Sequence, residues 1–271
     1  MELKNKVAIV LGGIKGIGKD ICINLLESGV KVVATWFDWE EELASMKDDF
    51  SKTGTEYLIK NINLLETKNI PKLVEDVIDK FGKLNILINN IERGGWPILH
   101  GKYVEDQWDL EIETTLRAKQ WIFENAIPYL KASKSGCVIN FSSIAGIVGR
   151  SGPTSFLFNE GYSAANRGIS LLTETWARLG APEVRVNEIM LGIFETRHGP
   201  GTRGWALLND DHKKNIFDHT LVNRIGKTDD IIKCVNFLLK DAPFMTGNVI
   251  RLDGGYILGG DKIAALPKGV L

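Results

Sequence analysis

The stretch VAIVLGGIKGIGKDICINLLESG (residues 7–29) decides the fold class of this chain. It opens with an apolar run typical of a buried strand and then passes through Gly12, Gly16 and Gly18. An apolar residue at every fourth position from Ile17 onward predicts a helix, and Gly29 stands where a glycine would end it. A strand, a glycine turn and a helix in this order predict the first unit of a doubly wound α/β sheet.

Six further strand-like runs follow, with helical patterns between them. These runs are KVVATW (31–36), EYLIK (56–60), LNILIN (84–89), GCVINF (136–141), VRVNEI (184–189) and NVIRLD (248–253). The longest helical patterns cover 108–130 and 162–179. The alternation predicts one domain over 1–271, with buried strands in a mostly parallel sheet and helices on both faces. The irregular segment 192–220 is a candidate lid over a site.

Composition and charge narrow the function classes. The chain has 271 residues, 44% hydrophobic and 25% charged, with a formal net charge of −1. This balance gives no electrostatic case for nucleic acid or an anionic membrane. No apolar run approaches the ~20 residues of a membrane span, and the start MELKNKVAIV leaves no room for a signal peptide. Three widely spaced cysteines predict neither a disulfide framework nor a metal site, so we expect a cytoplasmic protein without a metal.

The three glycines of the first turn indicate a nucleotide site. Glycine permits a tight turn and lets a pyrophosphate approach the helix N-terminus, where free N–H groups and the helix dipole favour an anion. A purely structural turn can use the same residues. Because the turn follows the first strand of an α/β chain, dinucleotide binding is the favoured interpretation.

Several motifs resemble those of the short-chain dehydrogenase/reductase family, and the resemblance runs almost end to end. The motifs are GGIKGIG (12–18), LINN (87–90), NFSSIAG (140–146), YSAAN (162–166), RVNEIMLGIFET (185–196), NRIGKTDDI (223–231) and MTGNVIRLDGGY (245–256). The resemblance implies a single Rossmann-type domain with a seven-stranded sheet. It also implies NAD(P)-dependent hydride transfer between a carbonyl and a secondary alcohol.

The resemblance assigns catalytic roles to four positions. Ser143 matches the serine that bonds the substrate oxygen, and Tyr162 matches the tyrosine that exchanges the proton. Asn166 stands where the family has a lysine that holds the nicotinamide ribose and lowers the pKa of the tyrosine. Thr115 stands at the position of the asparagine that supports a water relay. The cofactor segment departs too, because Glu92 replaces a glycine.

The missing lysine has a calculable effect. A unit charge ~5 Å from the phenol is worth ~3 kcal/mol at an effective dielectric near 20, or roughly two pKa units. Without that charge we expect the pKa of Tyr162 to lie near the unperturbed ~10, so that little phenolate exists at neutral pH. Alcohol oxidation, which needs a base, should lose more than carbonyl reduction, which needs an acid.

The residues around the second strand leave the cofactor type open. Lys15 resembles a basic residue that favours NADP, whereas Asp38 suits the ribose of NAD or a helix cap. Asn61 replaces the aspartate that contacts adenine in the family. The expected cofactor-binding residues are Gly12, Lys15, Gly16, Ile17, Gly18, Trp36, Asp38, Asn61, Ile62, Asn90, Tyr162, Gly192 and Thr196.

The sequence does not identify the substrate, although its aromatic residues indicate a partly aromatic pocket. The segment GRSGPTSFLFNE (149–160) should lie at its rim, and loop side chains expected beside it are Trp96, His100, His198 and Trp205. Three functions stay open at this point: a reductase, a cofactor-binding inactive subunit of a hetero-oligomer, and a nucleotide-sensing protein.

A homodimer or tetramer, or assembly with a homologue, is expected from the resemblance, because the two long helices pair across two-fold axes in the family. In this sequence their outer faces are predicted to carry Trp121, Phe123, Leu172 and Trp176.

Overall fold

The computed structural model describes residues 1–92, 103–195, 208–261 and 263, and it contains the predicted seven-stranded sheet. The strands are β1 (Val7–Val10), β2 (Lys31–Trp36), β3 (Tyr57–Asn61), β4 (Ile86–Asn89), β5 (Gly136–Ser143), β6 (Val184–Leu191) and β7 (Val249–Leu252). All neighbouring strands pair in parallel, in the order β3-β2-β1-β4-β5-β6-β7. The direction of winding reverses between β1 and β4, as in a doubly wound Rossmann-type sheet.

Helices cover both faces of the sheet. They are α1 (Gly16–Glu27), α2 (Leu43–Lys52), α3 (Ile70–Phe81), α4 (Glu105–Ile112), α5 (Ala118–Ala132), α6 (Ala145–Val148), α7 (Glu160–Gly180), α8 (Asp210–His219) and α9 (Thr228–Asn236). One apolar cluster packs α1, α2 and α9 against one face, and a second packs α3, α5 and α7 against the other. A third, smaller cluster lies at the carboxyl end of β5 and β6, beneath the site.

Two strands differ from the expectation that all are buried. Residues of β3 are half-buried or exposed, and those of β7 alternate between the two classes. Both lie at the edges of the sheet, where a strand has one neighbour instead of two. In the centre of the sheet, β5 and β6 extend two residues beyond the predicted apolar patterns and end at Ser143 and Leu191. Their parallel pairing therefore continues to the carboxyl edge of the sheet.

The two long helical patterns are partly confirmed. The second is α7, whereas the first divides into α4, a π-helical segment at Glu113–Arg117, and α5. The prediction that Phe123 and Trp176 lie on outer faces is wrong, because both side chains are buried and their rings stack at 4.5 Å between centroids. Trp176 lies seven residues after the buried Ile169, which is two helical turns along the same face.

The predicted lid is described only in part. Within 192–220, α8 occupies the end of the segment, and 196–207 lie outside the described residues. Thr196, His198 and Trp205 therefore fall outside, as do Trp96 and His100. Among the described helices, none is both long and apolar enough to cross a membrane.

Candidate active site

The carboxyl ends of four adjacent strands bring the predicted site residues to one edge of the sheet. Gly12 follows β1, Asn90 follows β4, Ser143 ends β5 and Gly192 follows β6. The strands are neighbours in the order β1-β4-β5-β6, so these positions are contiguous along the edge. In open α/β sheets this edge, at the point where the winding reverses, is where ligands bind.

The glycine loop has the close packing that a phosphate cradle needs. Gly12 has φ +70°, and its N–H donates to Oγ1 of Thr35 over 3.3 Å. A Cβ on Gly18 would lie 2.0 Å from the carbonyl oxygen of Gly12 and 2.7 Å from Nδ2 of Asn90. No side chain larger than hydrogen fits there, so the loop, the start of α1 and the segment after β4 remain in contact.

The start of α1 fits the pyrophosphate of a dinucleotide. The helix begins at Gly16, followed by Ile17 and Gly18, and its N-cap residue Lys15 makes no side-chain cap. The first N–H groups of a helix have no partner within it, and together with the helix dipole they favour an anion. NAD or NADP would be held here by backbone groups.

Trp36 and Asn61 pair across β2 and β3, and the N–H of Ile62 donates to the carbonyl of Trp36 over 2.8 Å. Asn61 is exposed at the edge where adenine is expected. The N-cap positions of the next two helical segments are Trp39 and Glu42, so Asp38 occupies neither. Asp38 therefore lies on the loop after β2, where the ribose of the cofactor is expected.

Lys15 lies at the same end of the site. Its Nζ stands 3.1 Å from the centre of the Trp39 ring, a cation–π contact. Partial burial lowers the pKa of Lys15, while the carboxylates of Glu42 and Glu41 act in the opposite direction. One cation and two nearby carboxylates therefore compete at the position where a ribose phosphate would bind.

A buried polar cluster fixes the start of α7 and with it Tyr162. Asn159, the N-cap residue, accepts a bond from the N–H of Tyr162 over 2.8 Å and donates to Glu111 over 2.5 Å. Glu111 also accepts from the hydroxyl of Tyr103 over 2.6 Å, and this hydroxyl accepts from the N–H of Gly161. Sequence reasoning missed the cluster, although an asparagine three residues before Tyr162 is a typical capping signal.

The phenol of Tyr162 lies among the groups that would exchange its proton. It donates to Oε2 of Glu92 over 2.9 Å, and the hydroxyl of Ser143 lies near enough to lower the pKa of the phenol. The hydroxyl of Ser143 is itself held by the N–H of Ala145 over 3.1 Å. Burial, followed by the negative charge of Glu92, raises the pKa of Tyr162 well above its ordinary value. The phenol is therefore protonated at neutral pH, further from ionisation than the sequence alone predicts.

Asn166 and Thr115, which are predicted to stand at two catalytic positions of the family, are both fully buried. The amide of Asn166 donates to the carbonyl of Tyr162 over 2.9 Å, within its own helix, and its Oδ1 has no partner. Thr115 lies in the π-helical segment, and its Oγ1 is also without a partner. Neither residue brings a charge to the phenol. The predicted roles of these residues stay predictions: Asn166 lies one turn after Tyr162 in α7, and Thr115 lies in a segment that packs against α7.

A charge that sequence reasoning missed lies under the site. Lys119 is fully buried, and its Nζ donates to the carbonyl of Phe141 over 2.7 Å. Burial lowers the pKa of Lys119 to about 8, while Glu92 and Glu188 act against that decrease. Glu188 is fully buried in β6 and accepts from the hydroxyls of Ser142 and Ser170. The signal available in the sequence was a lysine three residues before Ile122 on the apolar face of α5.

A glycine loop at the start of α1 and a serine–tyrosine pair at the carboxyl edge of a doubly wound sheet define a dinucleotide-dependent oxidoreductase. The chain belongs to the short-chain dehydrogenase family, because the family model described as short chain dehydrogenase matches residues 6–205. It is therefore an NAD(P)-dependent oxidoreductase that acts on a carbonyl or an alcohol.

Curated relatives and a solved structure are similar over nearly the whole chain. A 3-oxoacyl-[acyl-carrier-protein] reductase of Thermotoga maritima is 27% identical, over 95% of this chain and 100% of the relative. The (2S)-[(R)-hydroxy(phenyl)methyl]succinyl-CoA dehydrogenase subunit BbsD of Thauera aromatica is 28% identical, over 95% and 99%. A crystal structure described as a putative short-chain alcohol dehydrogenase from Sinorhizobium meliloti 1021 matches with a TM-score of 0.83 and 26% identity, over 95% and 98%.

Proposed function

We propose that the chain uses NADPH to reduce a keto group on the acyl chain of a thioester. The observation that supports this most is that Ser143, at the end of β5, and a protonated Tyr162, in the first turn of α7, lie at the same carboxyl edge of the sheet. In this proposal the hydroxyl of Ser143 holds the substrate oxygen, and the phenol of Tyr162 donates a proton to it. When bound, the nicotinamide supplies the hydride.

The state of the phenol supports the reductive direction. Carbonyl reduction needs an acid beside the substrate oxygen, and Tyr162 keeps its proton because burial and Glu92 raise its pKa. Alcohol oxidation needs a base at the same atom, and the neutral Asn166 provides no charge that would favour phenolate. We therefore expect reduction to be the faster direction near neutral pH.

Lys15 supports NADP over NAD, since its ammonium lies at the mouth of the expected ribose site. Glu41 and Glu42 weaken its attraction for a phosphate. We propose a modest preference for NADPH, with a KM several-fold below that for NADH. Replacement of Lys15 by Ala should remove the preference and leave the KM for NADH unchanged.

The substrate class rests on the names of two relatives. Their substrates are a 3-oxoacyl group on acyl carrier protein and a substituted succinyl group on coenzyme A. Both are acyl groups with an oxidisable or reducible carbon, joined to a large carrier. A substrate of this kind would enter past the rim segment 149–160, where the hydroxyl of Tyr256 bonds to Thr154.

The test combines cofactor binding with turnover. Thermal shift with NADPH, NADH and their oxidised forms measures binding, and turnover is measured with 3-oxoacyl-CoA esters and with simple ketones. We expect stabilisation by NADPH and faster turnover of the esters. Absence of stabilisation by every form at millimolar concentration would exclude the enzyme and the nucleotide-sensing function together.

A second candidate function is a cofactor-binding, inactive subunit. It is supported by the neutral Asn166 and by Glu92, which engages the phenol that the substrate would need. The Thauera aromatica relative is named as a subunit of a dehydrogenase. Cofactor binding without turnover, together with co-purification of a homologous chain from the native source, would favour this function over the first.

A further inference from the structure

Glu92 is the side chain that the predicted mechanism leaves without a role. It stands where the family has glycine, on the segment after β4, and its Oε2 accepts a hydrogen bond from the Tyr162 hydroxyl over 2.9 Å. The residue is exposed to the cleft. A carboxylate in direct contact with the reacting phenol oxygen, and open to solvent on its other side, has the geometry of a proton acceptor.

Lys119 acts electrostatically on Glu92. Its ammonium is fully buried on α5 and is fixed by the carbonyl of Phe141, two residues before Ser143 in β5. It attracts the carboxylates of Glu92 and Glu188. A buried ammonium that has one hydrogen-bond partner is costly unless carboxylates balance its charge, so Lys119 and the two glutamates depend on one another.

We propose that Glu92 is the catalytic proton partner of Tyr162, and that Lys119 is a positioning residue that keeps Glu92 ionised. The inference rests on the proposed function, because it describes how the same site moves a proton without the lysine that Asn166 replaces. The cation lies on α5 here instead of α7, and it acts on Glu92.

The proton balance is complete within these residues. In alcohol oxidation the substrate hydroxyl gives its proton to the oxygen of Tyr162, and the phenol gives its own proton to Oε2 of Glu92. Glu92 then loses the proton to water in the cleft. In reduction each transfer runs in reverse: Glu92 takes a proton from water and passes it to Tyr162 as Tyr162 protonates the substrate oxygen. The hydride exchanged with the nicotinamide balances the electrons, and phenolate never has to accumulate.

The other charges near these groups are accounted for. Although part of the Glu92 side chain is exposed, the surrounding protein removes water from the carboxylate and raises its pKa, whereas Lys119 and the bond from Tyr162 act to lower it. The charged groups that act on the members of the relay are Glu92 and Glu111 on Tyr162, Lys119 on Glu92, Glu92 and Glu188 on Lys119, and Lys119 and Arg167 on Glu188. Of these charged groups, Glu92 alone forms a hydrogen bond with the phenol, so its replacement isolates the relay.

The test uses the full chain with Glu92→Gln, which keeps a hydrogen-bond acceptor but removes the charge, and Lys119→Met, which keeps the length. Glu174→Gln, at an exposed ion pair with Arg178 on α7, is the matched control. For each protein, turnover in both directions is measured against pH. The ionisation of Tyr162 is followed by ultraviolet difference absorbance, after subtraction of the trace of Tyr162→Phe.

We expect Glu92→Gln to lower the rate of alcohol oxidation at least tenfold, because a general base contributes about two orders of magnitude to such a rate. The acidic limb of the pH profile for oxidation should also disappear. Reduction should fall less. Lys119→Met should move that limb to higher pH, and the control should match the wild type. Tyr162 should ionise about one pH unit lower in Glu92→Gln, since the adjacent negative charge is gone.

An unchanged pH profile and an unchanged titration of Tyr162 in Glu92→Gln would overturn the relay. If the wild type binds cofactor but turns over no substrate, the proposed function fails, and the titration alone decides the coupling. In that case a shift of the phenol in Glu92→Gln supports the Glu92–Tyr162 pair, and no shift rejects it.

Discussion

At the scale of single residues, the proposed chemistry depends on the charges that surround the phenol of Tyr162. Asn166 replaces a cation, Glu92 adds an anion, and Lys119 adds a cation at a greater depth. A unit charge at ~5 Å is worth ~3 kcal/mol at an effective dielectric near 20, which is enough to change which direction of the reaction is easier. Burial first and the negative charge of Glu92 second keep the phenol of Tyr162 neutral.

Asn166→Lys returns the missing charge to α7. It should lower the pKa of Tyr162 by a unit or more, because a cation beside a phenol favours phenolate. Alcohol oxidation near neutral pH should rise several-fold, while reduction changes less. Turnover in both directions measures this, with Asn166→Ala as the control that removes the amide without adding charge. Equal effects of the two substitutions would show that charge is not the missing element.

At the scale of elements, the N-terminus of α7 connects stability with catalysis. Asn159 caps the helix and bonds Glu111, and the bond from the N–H of Tyr162 fixes the first turn, in which the proposed catalytic tyrosine lies. The start of α8 has a similar cap, in which Asn209 accepts from the N–H of His212 over 2.8 Å, and this bond is exposed. The chain thus contains two asparagine caps that differ in burial and function.

Asn159→Ala should lower the free energy of unfolding by about 2 to 3 kcal/mol, since it removes a cap and one partner of the buried Glu111. It should also reduce turnover, because Tyr162 loses its anchor. Asn209→Ala should cost about 1 kcal/mol and leave turnover unchanged. Denaturant unfolding and steady-state kinetics of both variants provide the comparison. An equal stability loss in the two variants would contradict a special role for the buried cap.

The buried lysine of α5 predicts a pH dependence of stability. Its folded pKa of about 8 lies below the ordinary value of 10.5, so between these values the unfolded chain binds the extra proton. The contribution of Lys119 to the free energy of unfolding therefore rises with pH between about 8 and 10.5, by about 1.4 kcal/mol per pH unit. The same contribution is lost as the pH falls to about 8. The difference in unfolding free energy between wild type and Lys119→Met, measured from pH 8 to 10, should increase with pH. A flat or falling difference would mean that Lys119 keeps an ordinary pKa.

The sequence predicted the elements better than the contacts between them. The strands, the glycine turn and the adjacency of Ser143 and Tyr162 follow from local patterns and from the order of strands in the sheet. The contact of Glu92 with Tyr162 and the burial of Lys119 do not, because these residues lie on separate elements and packing alone brings them together. Burial of Trp176 was readable from helical spacing, since it shares a face with Ile169.

At the scale of the whole molecule, the parallel sheet collects the ends of β1, β4, β5 and β6 at one edge, and the helices cover the two faces. Apolar side chains also remain on the surface of the helices that follow β4 and precede β6. Trp108 on α4, Trp121 on α5, and Leu171 and Leu179 on α7 are exposed in the single chain. Because a monomer rarely exposes this much apolar surface on neighbouring helices, association is favoured.

We expect a dimer or a tetramer by light scattering at micromolar concentration. Leu171→Asp, at the most exposed of these positions, should lower the mass, because it places a charge within the proposed interface. Phe37→Asp, an exposed apolar residue after β2, should leave the mass unchanged. A monomeric mass for the wild type would contradict the prediction and remove these helices as an interface.

Turnover of Tyr162→Phe, measured beside the wild type with cofactor binding followed in both proteins, decides whether Tyr162 is the proton donor. The variant should bind NADPH like the wild type and lose carbonyl reduction and alcohol oxidation alike, because the hydroxyl that exchanges the proton is gone. Tyr129→Phe, on α5, should retain both activities. Activity that survives Tyr162→Phe would contradict the assignment of Tyr162 as the proton donor.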